Sequence, residues 1–256
     1  GSKVTAFGPG DRVYCGMSLG FNMTGCYAEE LIRPAADFRH LPDQASFAAG
    51  AALGTPYATA HYALFARGNA QAKDIVFIHG ASGAVGTAAI QLARRAGIAV
   101  IGSGGTEEGR QLILEQGANH AVDHSSETYL QEVKKYCKSI NSSDGPSLIL
   151  EMLANVNLAA DLDLVDRYGR IVVIGNRGEI TINPRMMMMK ELDVIGIALF
   201  NGTRGQMEAL NGDLQAGLKD GSLNPVIGRE MPLSEAASSH DVVLEPGARG
   251  KLVLIP

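Results

Sequence analysis

Cysteine is scarce in this chain, and the three present, Cys15, Cys26 and Cys137, are too few and too scattered for a disulfide framework or a thiolate zinc site. That usage points to a reducing, cytoplasmic compartment. No apolar run reaches the roughly 18 residues needed to cross a bilayer, and no signal-peptide pattern opens the sequence, so a membrane partner is not expected. Basic runs are absent and the net charge is −5, which removes the electrostatic footprint expected of a strong nucleic-acid binder. Neither a Ser-Lys-Tyr triad nor a Cys-His pair is evident, so hydrolytic chemistry has no foothold. Internal repeats and flexible linkers are lacking too. What remains is an ordinary globular composition, 46% hydrophobic and 19% charged over 256 residues, long enough for one or two domains.

The most informative stretch is 74–96, DIVFIHGASGAVGTAAIQLARRA. An apolar strand, Ile75–His79, runs into a turn of small residues and then into an apolar-striped helix. Glycines at 80, 83 and 86 let the backbone turn, approach a pyrophosphate and pack the helix on the sheet. The helix N-terminus, with free N–H groups and a positive dipole end, favours an anion. A second strand at Ala99–Gly102 completes the context that gives this glycine pattern its meaning.

Further strands are expected at His120–Val122, Leu148–Met152, Arg170–Ile174 and Asp193–Ile197. They alternate with helical segments and imply a doubly wound parallel α/β sheet. Before it, short β segments at Arg12–Tyr14 and Tyr27–Ile32 lie among turn signals. After it come a helix over Met207–Leu218, loops, and a last strand at Lys251–Ile255.

At the end of the second strand, 102–110 reads GSGGTEEGR. Small and hydroxyl residues there leave room for a 2′-phosphate, and Arg110 can supply charge. Glu107 is the competing signal for NAD, but Thr106 is a natural N-cap and an acidic first helical turn has its own reason. The residues favour NADP. By the same kind of reading, His124 sits where a parallel sheet binds ligands, or is a surface turn histidine. Thr59 can bond the nicotinamide carboxamide or a substrate oxygen, or its own backbone. The run Met186–Met189 is read as filler for an irregular core gap before it is read as a substrate surface.

The motifs HGASGAVGTAAIQLAR, AALGTPYATAHYAL at 51–64, GTEEG at 105–109, GDRV at 10–13, GCYAE at 25–29, EMLANVNL at 151–158, GRIVVIG at 169–175, NPVIG at 224–228 and GKLVLI at 250–255 closely resemble the zeta-crystallin type of NADPH:quinone oxidoreductase, a zinc-free medium-chain dehydrogenase/reductase. The resemblance implies a Rossmann domain at 50–200 inserted in a discontinuous, N-terminally incomplete, β-rich GroES-like domain formed by 1–49 and 201–256. It implies NADP(H) as cofactor, with Ser82, Gly83, Ala84 and Val85 on the pyrophosphate, Gly105 and His124 on the adenosine phosphate side, and Asn157 near the ribose. Ile174, Gly175, Asn176 and Arg177, then Ile197, Ala198 and Leu199, would line the nicotinamide arm.

The implied activity is NADPH-dependent reduction of a quinone without zinc. Enone or enoyl reduction, and a crystallin-like structural or RNA-binding role, stand as alternatives. Family members carry several dozen residues before the position matching Lys3. With that segment missing, first-domain surface would be left bare, so a homo-oligomer and impaired turnover are expected.

Overall fold

The structure is a computed structural model that describes residues 3–17 and 26–256. Its centre is a six-stranded parallel sheet built from β3 (Ile75–Ile78), β4 (Ala99–Gly104), β5 (His120–Asp123), β6 (Leu148–Glu151), β7 (Arg170–Val173) and β8 (Asp193–Gly196), in the spatial order β5-β4-β3-β6-β7-β8. Chain order therefore reverses at β3, which has β4 on one side and β6 on the other. This is the doubly wound Rossmann arrangement, whose ligand crevice opens at the carboxyl ends of the strands beside that reversal.

The strands read as continuous apolar runs because both faces are covered. Val76, Ile78, Leu148, Leu150 and Val172 point to one side, where they pack with Ala88, Ala89 and Leu92 of α2 (Ala84–Arg95) and with Leu53 and Tyr57 of α1 (Phe47–His61). Ile75, Phe77, Ile101, Ile149 and Ile171 point to the other, against Val133 and Cys137 of α4 (Tyr129–Asn141) and Leu162 of α5 (Ala154–Leu164). Helix α3 (Glu107–Glu115) joins β4 to β5 and α6 (Pro184–Lys190) precedes β8.

Outside the main sheet, β1 (Val13–Cys15) pairs antiparallel with β2 (Phe38–His40). Beyond α7 (Arg204–Asp220), β9 (Ile227–Pro232) pairs parallel with β10 (Lys251–Ile255), and α8 (Ala236–Val242) lies between them in the chain. Two expectations need correction. Tyr27–Ile32 is bent chain with no ladder: Ile32 is fully exposed, the following Arg33-Pro34 redirects the backbone, and β1 takes the unforeseen β2 as its partner. The segment after α7 contains β9 where only loops were expected. Gly25, part of one quoted motif, lies outside the described residues.

Of the methionine run, Met186 and Met187 pack against the core, whereas Met188 and Met189 are exposed. No helix among the described residues is long and apolar enough to cross a membrane.

The three glycines after β3 have separate physical reasons. Gly80 has φ +56°, a left-handed turn; a Cβ on Gly86 would lie 2.5 Å from Ala81 Cα; a Cβ on Gly83 would meet only Gly80 O, at 3.4 Å. Gly86→Ala should therefore lower stability by about 1–3 kcal/mol through overpacking against backbone, and Gly83→Ala by less than about 1 kcal/mol. Urea midpoints of the two variants check this, and equal midpoints would contradict the assigned roles.

Candidate functional site

Every strand of the sheet delivers candidate residues at its carboxyl end. From β3 comes the turn from Gly80 to Gly86, tied to β4 by Ala81 N–H donating to Ser103 O at 2.8 Å and Gly80 N–H donating to Ser103 Oγ at 3.2 Å. Gly83 is the N-cap of α2 and has no side chain with which to cap it. The first turn, starting with Ala84 and Val85, holds no acidic residue. By contrast α1, α3 and α7 are capped by Ser46, Thr106 and Thr203. The α2 end thus combines uncapped N–H groups and a positive dipole end with a glycine, Gly83, whose missing Cβ would make only ordinary contact with Gly80 O and which is bridged to Gly250; uncapped N–H groups at a positive pole favour a phosphate. Ser82 precedes Gly83, its Oγ donating to Ala248 O at 3.0 Å.

Gly105 follows β4 and His124 follows β5, and the two are in contact: a Cβ on Gly105 would fall 2.7 Å from His124 Nε2. Burial holds His124 below the usual histidine range, with Asp123 pulling the other way, so the ring is neutral near pH 7. Arg110 is committed locally, pairing with Asp123 at 3.0 Å. Thr106 Oγ accepts from Gly109 N–H at 3.0 Å, and Glu107 stands in the first turn of α3, lining a cleft against β9. Its position is accounted for by the cap and dipole. That cleft, about 570 Å³, also faces Glu108, Glu115 and Arg249; its three carboxylates make it a poor place for a phosphate.

Beyond the reversal, β6 ends at Glu151, and Asn157 on α5 donates from Nδ2 to Glu151 Oε1 at 3.2 Å. The Ile174–Arg177 segment continues β7. A Cβ on Gly175 would strike Met152 O at 2.3 Å, and the exposed Arg177 N–H donates to Asn155 Oδ1 at 3.0 Å. Asn176, also exposed, donates to Gly178 O at 2.7 Å. Ile197 extends β8 through its N–H to Val173 O at 3.1 Å. Ile197 and Leu199 rest half-buried on the core, with Ala198 half-buried between them. Thr59 is half-buried on α1. Thr55, one turn earlier, is exposed on the wall of a cavity of about 480 Å³ between β1, α1 and β10, where Cys15 and Cys26 also lie. Burial raises the Cys15 thiol, and the neighbouring Cys26 adds to the effect.

One constellation was not foreseen. His79, immediately after β3, has Nε2 2.8 Å from Asp161 Oδ1 and 3.3 Å from Glu151 Oε2. All three are buried. The residues are far apart in sequence, so spacing could not reveal them. The available signal was periodic: His79 and Glu151 fall two places after Phe77 and Ile149 and hence on the same face. Burial pushes the carboxyls of Glu151 and Asp161 up and the His79 imidazole down.

Comparison with known proteins agrees with this geometry. Residues 84–214 match the zinc-binding dehydrogenase family. The chain is 43% identical over 257 residues to quinone oxidoreductase of Mus musculus and 41% identical over 256 residues to that of Homo sapiens, spanning all of this chain and 76% and 75% of theirs. Among solved structures, the quinone oxidoreductase from Thermus thermophilus, described in complex with NADPH, superposes with a TM-score of 0.82 at 30% identity, covering 91% of this chain and 75% of that one. The chain belongs to the zeta-crystallin-type quinone oxidoreductase family. It is an oxidoreductase. Cys137 is buried in α4, and among the described residues the group of three potential metal ligands within reach of one another, His79, Glu151 and Asp161, contains no cysteine.

Proposed function

We propose that this chain reduces quinones with NADPH and without zinc. The observation that carries the reading is the α2 N-terminus at Gly83: a helix end with no side-chain cap, no acidic residue in its first turn and a glycine whose missing side chain the protein's own packing does not demand. Ser82, Gly83, Ala84 and Val85 would hold the pyrophosphate there. The NADP preference is supported by the contact of Gly105 with His124 and by the placement of Glu107 in the first turn of α3, lining the cleft against β9. Asn157, Ile174–Arg177 and Ile197–Leu199 border the crevice along the nicotinamide arm, and Thr59 is the candidate for orienting the carboxamide or substrate.

When bound, the nicotinamide supplies a hydride. The chain's own part is to fix the phosphates, orient the ring and exclude water on its apolar side with Ile174, Ile197 and Leu199. A quinone suits such a site because it is electron-poor and its reduced oxygens take protons from water, so no metal is needed to polarise it.

Three outcomes follow. Gly83→Val should fold and lose NADPH binding, and a folded variant of unchanged affinity would remove the phosphate assignment. His124→Ala removes a hydrogen bond to a charged acceptor, about 1.5–3 kcal/mol, and should weaken NADPH roughly 10- to 100-fold while NADH changes little; equal losses in calorimetric titrations would refute the 2′-phosphate contact. Quinone turnover, assayed beside an enone panel, should survive exhaustive chelation. Activity lost to a chelator and restored by zinc would defeat the metal-free mechanism.

A further inference from the structure

Two buried polar clusters sit at opposite ends of the central strands, and only one is electrically complete. At the amino ends, Asp74 receives Arg170 Nη2 at 2.6 Å, Ser147 Oγ at 2.7 Å and Gln71 N–H at 2.8 Å. Burial opposes its ionisation, but these donors outweigh it and hold the carboxyl below its ordinary range. At the carboxyl ends, Glu151 and Asp161 are both fully buried with His79, and no Lys or Arg among the described residues pairs with any of the three. Glu151 Oε1 accepts from the backbone N–H of Leu153 and from Asn157. Glu151 Oε2 has only the 3.3 Å contact of His79 Nε2, outside hydrogen-bond geometry, and Asp161 Oδ2 has no hydrogen-bond partner among the described residues. Two adjacent carboxylates in a buried site, facing one imidazole, carry a charge the fold does not balance.

With the imidazole neutral, a single proton halves the cluster's negative charge and relieves the repulsion between the two carboxyls. Placed on one carboxyl, it turns an orphaned acceptor into a donor toward the other. One nitrogen or oxygen from each of the three residues lies within 4.8 Å of the others, and the 2.8 Å approach of His79 to Asp161 is direct hydrogen-bond contact. Groups on the surrounding elements do not supply the missing charge. The Phe77 ring stacks edge-on with His79 at 4.6 Å. Tyr129 of α4 is a neutral phenol whose ionisation is disfavoured by its burial and by both carboxylates, and His124, after β5, is held neutral by its burial.

We propose that His79, Glu151 and Asp161 form a buried cluster with one exchangeable proton bridging the Glu151 and Asp161 carboxyls, and that Glu151 is a positioning residue which uses the cluster to fix Asn157 at the ribose of the cofactor. The second half rests on the cofactor reading given above; the first half does not. With the proton in place, Glu151 Oε1 stays directed at Leu153 and Asn157. Its loss to solvent leaves two carboxylates repelling each other at that point, and the anchor of Asn157 is disturbed. Burial pushes both carboxyls up to about 7 and holds His79 down, so the proton released as pH rises through about 7 comes from the carboxyl pair. Cofactor affinity should fall in the same interval, about tenfold for each pKa unit by which cofactor and proton binding are coupled.

The test uses the whole chain and two readouts. The infrared spectrum of the protein alone should contain a protonated carboxylic acid band that persists above the range where surface carboxyls ionise, fades through about pH 7, and is missing from Glu151→Gln. NADPH affinity should fall across that interval in the unmodified protein and stay level in Glu151→Gln, whose amide copies the protonated acid toward both Asp161 and Asn157. Should Glu151→Gln fail to fold, Asp161→Asn makes the same comparison from the other side. Asn157→Ala should lower affinity at every pH and leave the band in place. Absence of the band, or a stoichiometric divalent metal ion that Glu151→Gln removes, would overturn the cluster. A band with pH-independent NADPH affinity would overturn the positioning role. A band in a protein that does not bind NADPH would instead strike the cofactor reading and leave the proton cluster standing.

Discussion

Gly86 lies so close to Ala81 that any side chain would drive into backbone at 2.5 Å, and this contact fixes how α2 meets the end of β3. The helix is brought onto the turn it has just left. Its first N–H groups therefore face the crevice at the strand reversal instead of bulk solvent. Gly80 makes the same approach possible from below by taking a left-handed conformation. Once α2 is seated, the remaining candidates need no special mechanism to converge. Apart from Thr59 on α1, each lies one to seven residues past the end of a parallel strand, and parallel strands end together.

The geometry also explains the division of labour between the two ends of the sheet. The amino ends of β3, β6 and β7 are clamped by Asp74, Ser147 and Arg170, with Arg170 Nη1 donating in addition to Gly68 O at 2.7 Å. Donor and acceptor needs are met there with opposite charges in contact, which favours rigidity. The carboxyl ends hold loops, glycines and an undercompensated buried cluster. Local incompleteness at one end is tolerable because the other end and both apolar layers determine the fold.

Much of this was legible in the residues, and the limits are physical. Strands β3 to β8 announced themselves because burial on both faces forces unbroken apolar runs, and Thr106 announced the start of α3 because an N-cap is a local interaction. Short edge strands have no such signature. Phe38–His40 becomes β2 only because β1 lies beside it, and Ile227–Pro232 becomes β9 only because Lys251–Ile255 returns there. Tyr27–Ile32 has the apolar content of a strand but no partner. The His79 cluster was hidden for the same reason: its members are joined by β3 pairing with β6 and by α5 crossing beneath, which sequence spacing does not encode.

The cluster's position gives its polarity a consequence. A buried polar triad elsewhere in the core would be replaceable by apolar residues at little or no cost in stability. Here the replacement would be felt one residue further out, since Glu151 also receives Leu153 N–H and the side chain of Asn157. Leu153 is the N-cap of α5 and has no capping side chain of its own. Glu151 does that work from the preceding strand, its Oε1 accepting from the Leu153 N–H. The same residue therefore sets the start of α5, the orientation of Asn157 and the protonation of Asp161. An apolar substitute could fill the volume, but it would leave an uncapped helix and a loosened amide at the edge of the crevice.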